Sequence, residues 1–357
     1  MPPRDLSLRF RSVEPSQCLV RKASETKMTK LSNTLFIAGA LSFSLSTLAL
    51  AHDHHANKGG SGKLLTGQGD LVFSFDKALP SKFPDAAKSH EKKMHGGFTE
   101  DPRTGIVYTG IPGYGLCSIS ADLKEWKKLG KDKRLTGTIH GQVFFIHNKV
   151  ARLALAQPSD KRILITDLSG KILQEIRTPT GTEFDFKPAN EFYAKDQKGF
   201  KVTDLTYLKG KLYAVTGYSK GDFVLTLEEQ NGKWAWAKLA WGGRGKNPGQ
   251  FQTAHEVYAH EGYIYVANRA AFQVVKFTKD GKFLGMLNEI PTGSKICNVS
   301  FLKGHFFFNA LSRVAKTSSA PIYAHSGTGL ASTIIPGDLK VPVLNMKWPG
   351  NTGHRIL

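Results

Sequence analysis

Between Gly242 and Leu287 the chain lays out four short strand-like runs in about 45 residues, and this unit constrains the fold more than any other feature of the sequence. A glycine-rich lead-in loop is followed by a strand from His255 to Tyr258, a turn at Glu261-Gly262, and a strand from Tyr263 to Asn268. A strand from Gln273 to Thr278, a turn at Asp280-Gly281 and a strand from Phe283 to Leu287 complete it. The alternation has a period of two, and no long amphipathic helix interrupts it, which predicts an all-β protein. Four further stretches repeat the order: His95 to Gly130, His140 to Ile176, Val202 to Trp241 and Cys297 to Pro336. One such unit cannot bury both of its faces. Copies must stack around an axis, as blades do in a β-propeller. Five units, with a strand-like Asp70 to Lys77 and the C-terminal Val341 to Leu357 left over, predict six blades, the last of them composite or incomplete.

The Gly242–Leu287 unit resembles an NHL repeat. The residues that carry the likeness are Gly243-Arg244-Gly245-Lys246-Asn247-Pro248-Gly249-Gln250-Phe251, the run Ile264 to Arg269, and Val274 to Gly281. The resemblance implies an NHL-type six-bladed β-propeller over residues 70–357.

Ahead of that domain, Met28 to Ala51 has the form of a secretory signal peptide: one lysine, an apolar run from Leu35 to Leu50 broken by Ser42, Ser44, Ser46 and Thr47, then Ala-Leu-Ala. The run is short for a membrane span. Cleavage after Ala51 and a periplasmic or secreted location are expected. Residues 1–27 read as a leader outside the native protein, with Met28 the true start, and residues 52–69 as a flexible segment. The 357-residue chain has 40% hydrophobic residues, enough for a large core, and three cysteines with no CxxC pair, which excludes a disulfide scaffold or zinc ribbon. Cys117 and Cys297 fall in different strands of non-adjacent blades, so no bond between them is expected. The net charge of +20 becomes +16 once residues 1–51 are set aside. Its lysines are scattered over apparent turns without interleaved aromatics, so a nucleic-acid partner is not expected.

The repeat also places the histidines. In a propeller the first strand of each blade lines the central channel, so equivalent positions converge on the axis. Counting back from the second strand puts His95, His140, Thr203, His255 and Cys297 at one level of the ring. Three imidazoles from separate strands suit zinc above all and leave a coordination position open, the arrangement of a catalytic site. Cys297 reads as an inert buried thiol. Among NHL propellers this arrangement is similar to the peptidyl-hydroxyglycine lyase group of the peptide-amidating system. That resemblance implies His95, His140 and His255 as metal ligands and an arginine and a tyrosine as helpers. The helper candidates here are Arg244, Tyr114, Tyr218 and, beside a ligand, Glu256. A metal-dependent lyase or hydrolase acting on a small molecule or peptide in the channel is the expectation.

Other readings stand beside it. Calcium-dependent lactonases are a competing model, with Asp204, Glu256 and Asn298 as the carboxylate and amide oxygens. His52-Asp53-His54-His55 is a second metal candidate, expected to bind adventitiously. A non-catalytic propeller that binds a ligand or protein partner is the alternative function. The long connection from Thr178 to Phe200, rich in aromatics, is read as a lid, a partner contact or a linker. No Walker loop, GxSxG elbow, HExxH or dinucleotide fingerprint occurs.

Overall fold

The structure is a computed structural model that describes residues 65–68, 71–74, 84–93, 96–288, 290, 295–311 and 322–335. Five four-stranded antiparallel sheets follow one another along the chain. A hairpin of β1 (Leu65–Gln68) and β2 (Leu71–Ser74) comes first. Blade 1 is β3 (Phe98–Asp101), β4 (Ile106–Ile111), β5 (Gly115–Ile119) and β6 (Trp126–Leu129). Blade 2 is β7 (Gly141–His147), β8 (Val150–Gln157), β9 (Arg162–Thr166) and β10 (Ile172–Arg177). Blade 3 is β11 (Asp204–Leu208), β12 (Lys211–Val215), β13 (Phe223–Gln230) and β14 (Lys233–Gly242). Blade 4 is β15 (Ala254–His260), β16 (Tyr263–Asn268), β17 (Gln273–Thr278) and β18 (Phe283–Met286). Blade 5 is β19 (Lys295–Leu302), β20 (His305–Leu311), β21 (Ile322–His325) and β22 (Leu330–Ile335). The first strands β3, β7, β11, β15 and β19 lie side by side in that order. The chain is a β-propeller.

Its turns explain its sheets. Asn148-Lys149, Lys209-Gly210, Asn231-Gly232, Glu261-Gly262 and Lys303-Gly304 all have positive φ at both residues. That is the twist-matched two-residue hairpin, and it accounts for the glycines and asparagines that punctuate the repeat. The cores lie between blades. Tyr108, Leu116 and Leu129 of blade 1 meet Leu153, Leu155 and Leu164 of blade 2. Ile163 and Ile165 of blade 2 meet Leu205, Leu225 and Leu227 of blade 3. Val215, Val224 and Trp241 of blade 3 meet Val257, Ile264 and Phe277 of blade 4. Tyr265 and Val274 of blade 4 meet Val299 and Phe308 of blade 5. Each face is therefore dry only because its neighbour covers it.

Two differences from the sequence reading arise. The described residues make five blades, where six were expected; the β1–β2 hairpin packs against β22, the outer strand of blade 5. Residues 341–357 of the expected composite blade lie outside the described residues, as do the leader, the signal segment, and His52, His54 and His55. β1 begins at Leu65, inside the stretch read as flexible.

The Thr178–Phe200 connection is packed against the propeller, so it is not a free linker. It carries α1 (Lys187–Lys195), with Pro188 in its first turn. Tyr193 and Phe200 are fully buried, and Phe192 and Tyr193 meet Phe223 of blade 3 at centroid distances of 5.7 and 6.0 Å. Glu183 receives the backbone N–H groups of Thr180, Gly181 and Thr182, which folds the start of the segment. Among the described residues no helix is long and apolar enough to cross a membrane.

Candidate functional site

The ring of equivalent positions exists over four of its five members. His140 and Thr203 immediately precede β7 and β11, and each backbone N–H donates to the end of its second strand, at Ala156 O and Val215 O. His255 and Cys297 sit at register shifts in β15 and β19, where a bulge re-aims the side chain. Hydrogen bonds step around the channel: Gly97 N–H to His140 O, His140 Nδ1 to Thr203 O at 2.7 Å, Thr203 Oγ1 to Ala254 O at 3.1 Å, and His255 Nδ1 to Cys297 O at 2.8 Å. His95 lies outside the described residues.

His140 and His255 come together. Both are buried, with ring centroids 4.9 Å apart. A carbonyl oxygen can only accept, so each Nδ1 carries the proton, and in the neutral imidazole each Nε2 presents its lone pair. The two Nε2 atoms meet one group, the Tyr218 hydroxyl, at 2.9 Å from His140 and 3.1 Å from His255. Tyr218 stands on the loop between β12 and β13. Arg269, at the start of the loop between β16 and β17, places its guanidinium 5.3 Å over the Tyr218 ring, with Nη1 3.5 Å from the hydroxyl. Burial pushes the Tyr218 phenol up and the Arg269 charge opposes it.

Arg244, a sequence candidate for catalysis, has another task here. Its guanidinium donates to Ser219 O and Lys220 O, both at 3.2 Å, and stands 3.9 Å from the Asp222 carboxylate. It therefore holds the loop that carries Tyr218. Glu256 lies one residue past His255, buried, with both carboxylate oxygens receiving Asn298 Nδ2 at 2.8 and 3.0 Å. Asp204 accepts the Val257 N–H at 3.2 Å. The acidic layer proposed for calcium thus links neighbouring first strands. Tyr114 stays in blade 1, against the Lys128 ammonium at 4.6 Å. Arg269 was missed by the sequence reading, although its position directly after a second strand, on the same end of the blade as Tyr218, is the signal that would have found it. Among the described residues no group of three or more His, Cys, Asp and Glu side chains is placed to hold a metal.

No protein-family model matches the chain, and no curated protein does. Among solved structures, a streptogramin B lyase is similar at a TM-score of 0.47 and 12% identity, over 69% of this chain and 70% of that one. The extracellular domain of a protein described as a one-component system from B. thetaiotaomicron is similar at a TM-score of 0.40 and 14% identity. That match covers 66% of this chain and 27% of the other. Similarity at this level carries no chemistry to this chain.

The two buried cysteines are unbonded. Burial pushes the Cys297 thiol from 9.0 up to about 11 against the opposing charge of Arg269, and Cys117 up to about 12 against Lys128. Because the folded values lie above the unfolded one, the stability these neutral thiols contribute is complete below pH 9 and is lost as pH rises through about 11 and 12. Neither thiol should react with a disulfide reagent at pH 8 until the chain unfolds. Rapid labelling of the native protein would contradict the burial.

Proposed function

We propose that the chain is an exported propeller enzyme that carries out a metal-dependent lyase or hydrolase reaction on a small molecule or peptide at the His140 end of its channel. The supporting observation is the meeting of two imidazole Nε2 atoms on one phenol oxygen. A phenol has one proton and donates it to one lone pair. The second contact, at hydrogen-bond distance, calls for a cation or a further proton at the same point. Imidazoles whose Nδ1–H is tied to a backbone carbonyl are already oriented as metal ligands. The pair suits a divalent transition metal, zinc first, held by His140 and His255; His95, the third ligand implied by the resemblance, lies outside the described residues. Calcium, which takes oxygen ligands, suits this donor set poorly.

A metal held there supplies Lewis acidity to a substrate oxygen. The chain's own groups do the rest. Tyr218 holds or gives up a proton at its hydroxyl, Arg269 favours the ionised phenol, and Arg244 keeps the Tyr218 loop in place. Glu256, fixed by Asn298, keeps β15 and β19 in register beneath the imidazoles. Export rests on the Met28–Ala51 segment.

Elemental analysis of the periplasmically expressed chain, purified without chelators, is expected to find about one equivalent of zinc. The metal should be absent from a His140→Ala/His255→Ala variant that keeps its β-sheet spectrum. A metal-free wild-type protein with an intact spectrum would remove the enzyme and leave a binding platform.

A further inference from the structure

On blade 4 the lead-in loop 245–252, the 268–273 connection and β18 line a cleft of about 370 Å³. Its lining is unlike that of an ion site. Five side-chain amides, Asn247, Gln250, Gln252, Asn268 and Gln273, line it, and Lys246 is its single charged residue. Phe272, Phe283 and Met286 supply an apolar wall, Met286 being 48% exposed. Some of the amides are spent internally: Asn268 Oδ1 accepts the Gln252 N–H at 2.7 Å, and Gln250 Oε1 accepts the Asn247 N–H at 3.2 Å. The side-chain amides of Gln252 and Asn247 enter no hydrogen bond among the described residues, and Gln252 is half-buried.

Phe272 adds an independent observation. It ends the short 3-10 turn Arg269–Ala271 with φ 60° and ψ 39°, the left-handed region, where a bulky side chain is an outlier. Other non-glycine residues, Leu123 and Lys161 among them, share a positive φ in turns of this chain, and what sets Phe272 apart is that it lines the cleft.

We propose that this cleft binds a neutral saccharide. Each sugar hydroxyl both donates and accepts, and the side-chain amides of Gln252 and Asn247 offer the complementary donors and acceptors. The apolar C–H face of a pyranose matches a wall of phenyl rings and a thioether. An anion or a cation would meet one lysine and no carboxylate. The volume falls within the range of small-ligand pockets. The proposal stands apart from the channel chemistry, although Phe272 N–H donates to Arg269 O at 3.3 Å and so joins the cleft wall to the residue beside Tyr218.

Saturation-transfer-difference NMR on the full chain tests it, with glucose, N-acetylglucosamine, maltose and chitobiose as probes and glucose 6-phosphate as the anionic comparison. At least one neutral sugar should receive saturation on its C–H protons. Gln252→Ala should abolish the signal, and Phe272→Gly, which suits the backbone, should weaken affinity roughly tenfold while the β-sheet spectrum is retained. Silence from all four neutral sugars, a response from glucose 6-phosphate alone, or a signal that survives both substitutions overturns the proposal.

Discussion

Asp222→Ala is expected to cost about 3 kcal/mol and to lower the melting temperature by roughly 6–10 °C. The fully buried Asp222 carboxylate receives the N–H groups of Thr253 at 2.6 Å and Ala254 at 2.8 Å, the two residues that lead into His255, and stands beside Arg244. Alanine would strand two backbone donors and free the guanidinium that holds the Tyr218 loop. Burial pushes the Asp222 carboxyl above the usual carboxylate range, more than the N–H donors and Arg244 pull it down. With the folded value raised, its proton-linked contribution is full below pH 3.8 and is lost as pH rises through the folded value, so acid does not act through this group. Asp222→Asn, which keeps one acceptor oxygen but sets its Nδ2 against the other N–H donor, should therefore recover only part of the loss in thermal denaturation. An alanine variant as stable as the wild type would show that the Thr253–Ala254 anchor is dispensable.

Tyr218→Phe is the second large effect. It removes one oxygen and leaves the ring against His140 and His255, whose centroids lie 4.9 and 5.5 Å away. Turnover of any substrate the site accepts should fall about 10³-fold, the usual scale for losing a positioned proton donor, while folding is preserved. The substitution can also be read without a substrate. In the metal-free protein the ring-nitrogen NMR signals of His140 and His255 should both move when the hydroxyl is removed, because both Nε2 atoms contact it. If neither signal moves, the shared hydroxyl does not exist in solution.

Blade 4 shows how far local pattern reaches. β16 and β17 have the bounds that alternation predicts, and β15 and β18 differ by two residues or fewer at their ends. These elements are legible because strand alternation and two-residue turns are local physics, set by neighbours in the chain. The meeting of His140 with His255 was legible for a related reason: a repeat converts sequence spacing into position on an axis.

Arg269 lay beyond that ruler, and Tyr218, although a helper candidate, could not be set against the two imidazoles by it. They come from loops between second and third strands in two different blades, where the period sets no side-chain direction, and the residues they meet depend on how the blades rotate against one another. Arg244 looked like a reactive group from its place ahead of His255, but the fold turns it toward carbonyls of the neighbouring loop. The blade, its turns and the level of the ring are written in the chain's own pattern, since each recurs and each recurrence tests the last. The number of blades among the described residues, and which single polar groups touch, emerge only on folding, since they follow from packing between units that share a pattern and no common contacts.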